Sequence, residues 1–198
     1  MSLWSRTRNA VHGEITRTAM ELFLTRGFDA TTIDEIAAAA GISRRSFFRY
    51  FGTKEDVVLG DLIARGEEIR QALEARPDGE EPWTALCNAL HSVKDTAYDD
   101  DTMLAIFRMV HGTPSLRARS IEKHLQWQAL LTPEVRRRLG ADPADPFDVR
   151  ADALVATVIT CLDVAGEAWT RGDGAVSLED LFDAAAAAVR PPGSRAVP

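Results

Sequence analysis

Two helix caps on either side of a glycine turn dictate the fold of residues 31–51, TTIDEIAAAAGISRRSFFRYF. Thr32 followed three residues later by Glu35 is a capping box, in which the threonine hydroxyl caps the helix start and the glutamate reaches back to the cap. The short helix it opens places Ile33, Ile36, Ala37 and Ala40 on one face, and Gly41 breaks it. Ser43 is a fresh N-cap, so a second short helix follows over 44–51. Helix, three-residue turn with glycine, helix is the pattern of the helix-turn-helix that docks on DNA.

At about 100° per residue, Ser43, Phe47, Tyr50 and Phe51 share one side of that second helix, facing the preceding helices. Arg45 and Arg49 point the opposite way, flanked by Arg44 and Phe48 on one side and Ser46 on the other. Arginine forks suit guanine edges and phosphates, and a major groove admits one helix. A solvated surface helix would also carry exposed arginines; the two caps and the glycine turn decide for DNA. A single-strand binder needs its rings free to stack on bases, and the helical phase buries most of them here.

Charge separates along the chain in the same sense. The protein carries a formal net charge of −7, yet residues 1–54 hold eight Lys and Arg against five acids. A basic head on an acidic body meets a polyanion only through the head. An all-α fold is expected throughout, because β-branched alternating runs are missing. Apolar residues fall at helical spacing from Val11 to Phe23, before Gly27. A helix is expected from about Thr53 to the turn ARPDGEEP, with others over 82–97, 102–111, 115–138, 147–171 and 177–190. Pro114 and Pro133 mark starts or kinks, GADPADP (140–146) is a loop, and 191–198 reads as a flexible tail. The expected organisation is a DNA-binding domain over 1–53 and a helical body over 54–190.

Residues 31–58, TTIDEIAAAAGISRRSFFRYFGTKEDVV, closely resemble the signature of TetR-family transcriptional regulators. The resemblance implies a three-helix DNA-binding domain, a helical body that binds a small effector and dimerises, and a homodimer on double-stranded operator DNA, commonly as a repressor. It implies phosphate contacts for Thr32 and Lys54, base reading for Arg44, Arg45 and Ser46, and a further backbone contact for Tyr50, with Arg49 able to compensate at position 48. Position 48 departs from the family: its usual tyrosine, with a hydroxyl on phosphate, is Phe48 here, leaving a packing contact. Beyond residue 60 the segment TPSLRARSIEKHLQWQ is similar to the branch that includes mycofactocin-associated regulators, which implies an acyl-CoA-like thioester effector.

In the body, a helix over 147–171 that is apolar on more than one face, and an alanine-rich final helix, read as a two-fold interface through Val158, Leu162, Leu181, Phe182 and Ala185. Packing within one subunit is the alternative. Trp83, Phe107, His111, Trp127 and Trp169 are the candidate effector-lining residues, with Arg108, Arg117, Arg119 or His124 as polar handles. A constitutive DNA-binding regulator without a ligand is the rival reading. No catalytic constellation or Gly-rich phosphate loop is visible, so no enzyme activity, cofactor or metal is expected; Cys87 and His91 stand i,i+4 but lack a third ligand. The start of the chain shows no apolar signal segment and no uncharged apolar run approaches the ~20 residues of a membrane span, so a cytoplasmic protein is expected.

Overall fold

The computed structural model describes residues 3–93, 98–142 and 144–190, and among these every regular element is a helix. They are α1 (Leu3–Arg26), α2 (Ile33–Ala39), α3 (Arg44–Tyr50), α4 (Glu55–Glu74), α5 (Pro82–Ser92), α6 (Asp100–Gly112), α7 (Pro114–Arg138), α8 (Arg150–Arg171) and α9 (Leu178–Val189). The tail expected over 191–198 lies outside the described residues. α1 starts well before Val11, because residues 3–10 contain no glycine or proline to stop a helix from propagating backwards. α5 ends at Ser92 rather than 97: the Val93 N–H closes back on the Leu90 carbonyl at 3.3 Å. The rest of that expected helix, 94–97, lies outside the described residues.

α8 begins at Arg150, not 147. Asp145 accepts from the Phe147 N–H (2.9 Å) and Asp148 from the Arg150 N–H (3.1 Å), local turns that compete with helix over this stretch. Phe147 is left 87% exposed. α7, by contrast, runs through Pro133 without interruption to Arg138.

The chain divides into two compact units. The first comprises Met1–Asp61 and Met109–Ser120. Its core is built by Ile15, Ala19, Met20 and Phe23 of α1, Phe28, Ile36 and Ala37, Phe47 and Phe51, Val57 and Leu59 of α4, and Leu116 of α7. The second comprises Leu62–Arg108 and Ile121–Pro198. Its core joins Ile69 and Leu73 of α4, Trp83, Leu86 and Ala89 of α5, Trp127, Leu131 and Val135 of α7, Val155, Val158 and Ile159 of α8, and Phe182 and Ala186 of α9. α8 is long and apolar enough to cross a membrane by length and composition, though Asp152, Asp163 and Glu167 interrupt it, so no uncharged run approaches a span. Its buried side is the centre of the second unit's core, which accounts for that composition without a membrane.

Two contacts lock the second unit. A Cβ placed on Gly66 of α4 would stand 2.4 Å from Cδ1 of Trp127, so the missing side chain is what lets the indole lie against the α4 backbone. At the far end of α7 the Arg138 guanidinium donates to the carbonyls of Leu73 (2.8 Å), Arg76 (2.9 Å) and Pro77 (2.8 Å), and to Glu134 Oε1 (2.9 Å). Of these carbonyls, Leu73 lies in the last turn of α4 and also accepts from the Arg76 N–H (3.2 Å), so the one side chain ties α7 to the end of α4 and the turn after it.

Candidate nucleic-acid interface

The helix-turn-helix is set by its caps. The Thr32 Oγ1 accepts from the Glu35 N–H (3.2 Å) while Glu35 Oε2 accepts from the Thr32 N–H (2.8 Å), so the capping box forms in full. Those hydrogen bonds hold the Glu35 carboxyl below its ordinary range. α2 ends in a Schellman motif: the Gly41 N–H donates to the Ala38 carbonyl (3.2 Å) and the Ile42 N–H to the Ala37 carbonyl (2.9 Å). Gly41 sits at φ +67, the left-handed conformation that glycine adopts without a Cβ penalty. The next residue but one, Ser43, caps α3 by accepting from the Ser46 N–H at 3.1 Å. The turn is therefore fully specified, and it fixes the direction of α3.

α3 buries one side and presents the other. Phe47 and Phe51 lie in the core, ring centroids 5.5 Å apart, and Phe51 stacks on His12 of α1 at 4.3 Å. Arg44, Arg45, Phe48 and Arg49 are exposed, and Ser46 and Tyr50 are half-buried. The arginines are not equivalent. Arg44 Nη1 donates to Asp34 Oδ2 of α2 at 2.9 Å, and its guanidinium lies 5.8 Å from the centre of the Phe48 ring. The Arg49 guanidinium lies 5.5 Å from the Tyr50 ring. Arg45 has no partner among the described residues, so its fork is free for a base edge or a phosphate. The structure brings Arg44, Arg45, Ser46, Arg49 and Tyr50 onto one seven-residue helix, with Thr32 exposed at the start of the helix before it.

Lys54, expected at a phosphate, also has an internal role. Its Nζ donates to the carbonyls of Phe28 (2.7 Å) and Thr31 (2.9 Å) and stands 4.1 Å above the Phe28 ring. Two of its three donors are thus engaged inside the first unit, tying the start of α4 to the α1–α2 turn. Beside it, Thr53 and Asp56 cap α4 reciprocally: Asp56 Oδ2 accepts from the Thr53 N–H (3.0 Å), and Thr53 Oγ1 from the Asp56 N–H (3.2 Å). The other Asp56 oxygen accepts from Arg119 of α7, Nη2 at 3.1 Å. Phe48 is 46% exposed on the outward flank where the helical phase places it, with its ring edge to face with Phe47 at 5.6 Å.

The effector candidates divide between the units. His111 belongs to the first, and Trp83, Phe107, Trp127 and Trp169 to the second. Trp83 and Trp127 are members of the packed core, and Phe107 meets Trp169 edge to face at 5.3 Å. Of the polar handles, Arg108 pairs with Asp173 (2.5 Å) and Arg119 with Asp56; His124 Nδ1 lies 3.0 Å from Asp163.

The dimer candidates need correction at two positions. Val158 (0% exposed) and Phe182 (3%) are enclosed in the subunit's own core and have no surface left for a partner. Leu162, Leu181 and Ala185 are half-buried against that core. The outward sides of the same helices carry Thr160 and Val164 on α8, and Ala184, Ala187 and Ala188 on α9. Periodicity identified the helices but could not say which apolar face closes the subunit. Burial pushes the Cys87 thiol up to about 12, so it stays protonated at neutral pH. His91 beside it lies 3.2 Å from Asp183.

Residues 15–60 match the family described as bacterial regulatory proteins, tetR family, and residues 80–193 match the MftR C-terminal domain. The HTH-type transcriptional regulator TcmR of Streptomyces glaucescens is 32% identical over 194 residues, covering 94% of this chain and 84% of its own. A Mycobacterium tuberculosis protein, MftR, named for transcriptional regulation of mycofactocin biosynthesis, is 30% identical over 182 residues, covering 91% of this chain and 89% of its own. Among solved structures, the TetR-family repressor FadR of Thermus thermophilus, crystallised with lauroyl-CoA, aligns with a TM-score of 0.61 at 27% identity, over 94% of this chain and 97% of that one.

Proposed function

The chain belongs to the TetR family of bacterial regulatory proteins and is a DNA-binding transcriptional regulator; from that footing we propose that it is a homodimeric repressor released from its operator by a small apolar effector. One observation carries the DNA half of the reading: a doubly capped helix-turn-helix whose second helix turns Arg45, without a partner among the described residues, and Arg44 and Arg49 outward. The contrast with the acidic remainder of the chain directs a polyanion to that helix. A second copy covers the outward stripe of Thr160, Val164, Ala184, Ala187 and Ala188, whose small side chains allow two helix pairs to approach closely about a two-fold axis. The operator is then a near-palindrome with half-sites about 34–36 Å apart or a multiple of it.

The effector half is supported by the match to the MftR C-terminal domain and by the likeness to a FadR that holds lauroyl-CoA. An acyl thioester is the effector class we assign. Arg119 of α7 holds Asp56 in the first turn of α4, two residues from Lys54, so a shift of α7 reaches the helix that follows the reading head. An effector releases DNA only through a difference in its affinity for the bound and released states, and coupling of about 1–3 kcal/mol lowers operator affinity about 5–150-fold. The test is selection of bound duplexes from a random pool, followed by titration of the protein–operator complex with acyl-CoAs of graded chain length. Release in that range is expected. Operator affinity unchanged by every acyl-CoA and free fatty acid would remove the acyl effector and favour a constitutive regulator.

A further inference from the structure

Phe48 sits where nothing in the subunit needs it. It lies on the outward side of α3, one turn from both Arg44 and Arg45, and is 46% exposed. Most of the remaining outward residues of α3 are cations, and water gains nothing from a phenyl ring among them. The ring is nonetheless held in place. It meets the buried Phe47 edge to face at 5.6 Å, and the Arg44 guanidinium lies 5.8 Å from its centre. Arg44 is itself tethered to Asp34 at 2.9 Å. A rigid apolar surface is thereby presented between arginine side chains.

We propose that Phe48 is a specificity-determining residue that reads the C5-methyl group of a thymine in each half-site. The inference rests on the reading of α3 as the helix that enters the major groove. A phenyl ring has no donor or acceptor, so it recognises neither a phosphate nor a polar base edge. Along the floor of the major groove the C5-methyl of thymine is the apolar feature that distinguishes one base pair from the others. The arginines on either side bring the helix to the groove, and the ring then has one kind of surface to cover. Burying a single methyl supplies about a fourfold preference per half-site.

The experiment uses the full chain and the duplex recovered by selection. Each thymine is replaced in turn by deoxyuridine, which removes only the methyl, and affinity is measured for wild type and for Phe48→Ala. For wild type, one thymine per half-site should lose about fourfold on demethylation. In Phe48→Ala the same replacement should change nothing, while the variant retains wild-type helicity because the position is exposed. A wild-type protein indifferent to every deoxyuridine overturns the proposal, and needs no variant to do so. A methyl effect that persists in folded Phe48→Ala also overturns it by assigning the methyl to another residue. In both outcomes duplex binding persists and the reading of α3 stands; failure to select any duplex removes that reading together with this inference.

Discussion

Lys54→Met separates an internal anchor from a DNA contact. The ammonium holds the Phe28 and Thr31 carbonyls at 2.7 and 2.9 Å and stands 4.1 Å over the Phe28 ring. Hydrogen bonds from a charged group contribute about 1.5–3 kcal/mol each, reduced where water can replace them. A cation over an aromatic face at a partly exposed site adds about 0.5–1 kcal/mol. Lys54 is half-buried, so the low end applies, and the loss should be about 2–4 kcal/mol. For a chain of this length that is a fall in Tm of about 4–16 °C. The assay is thermal unfolding followed by circular dichroism, with operator binding measured across a salt series. One donor remains for a phosphate, so the salt slope should change by at most about one unit. Lys54→Arg retains the charge but not a compact ammonium that reaches both carbonyls, and should lose stability while keeping the slope. A Lys54→Met protein that melts with the wild type would refute the anchor.

Arg138→Met removes a guanidinium that is 1% exposed and bonds Glu134 and the carbonyls of Leu73, Arg76 and Pro77, although Glu134 keeps Arg137 and Leu73 and Pro77 keep backbone donors. It should cost about 3–5 kcal/mol in urea unfolding, and a loss under 1 kcal/mol would show that water takes over the site. Gly66→Ala would gain about 1 kcal/mol from helix propensity alone, but its Cβ would meet Trp127 at 2.4 Å. A net loss of about 1–3 kcal/mol in the same assay is expected, and a stabilised variant would mean that α4 and α7 do not approach as closely as described.

The helix-turn-helix was legible because its signals are local: Thr32 and Glu35, Gly41 and Ser43 each act within a few residues, and each forms the contact its type predicts. Boundaries failed where side chains compete with the helix, as Asp145 and Asp148 do before α8. Direction failed where an amphipathic pattern has two apolar sides. Val158 and Phe182 closed the subunit core instead of reaching a partner, because periodicity places residues on a face without saying what covers it. The inward anchoring of Lys54 was not legible because its acceptors are carbonyls of a distant turn, which no spacing encodes. The fit of Trp127 against Gly66 is likewise a long-range match between residues that look ordinary in sequence.

That α3 reads DNA by sequence is tested most directly by Arg45→Ala on the selected operator and on a scrambled duplex at one salt concentration. Wild type should prefer the operator by about a thousandfold or more. The variant should lose about 1–3 kcal/mol on the operator, and far less on the scrambled duplex, so that discrimination narrows at the position Arg45 reads. Equal losses on both duplexes, or none on either, would contradict sequence reading by this helix.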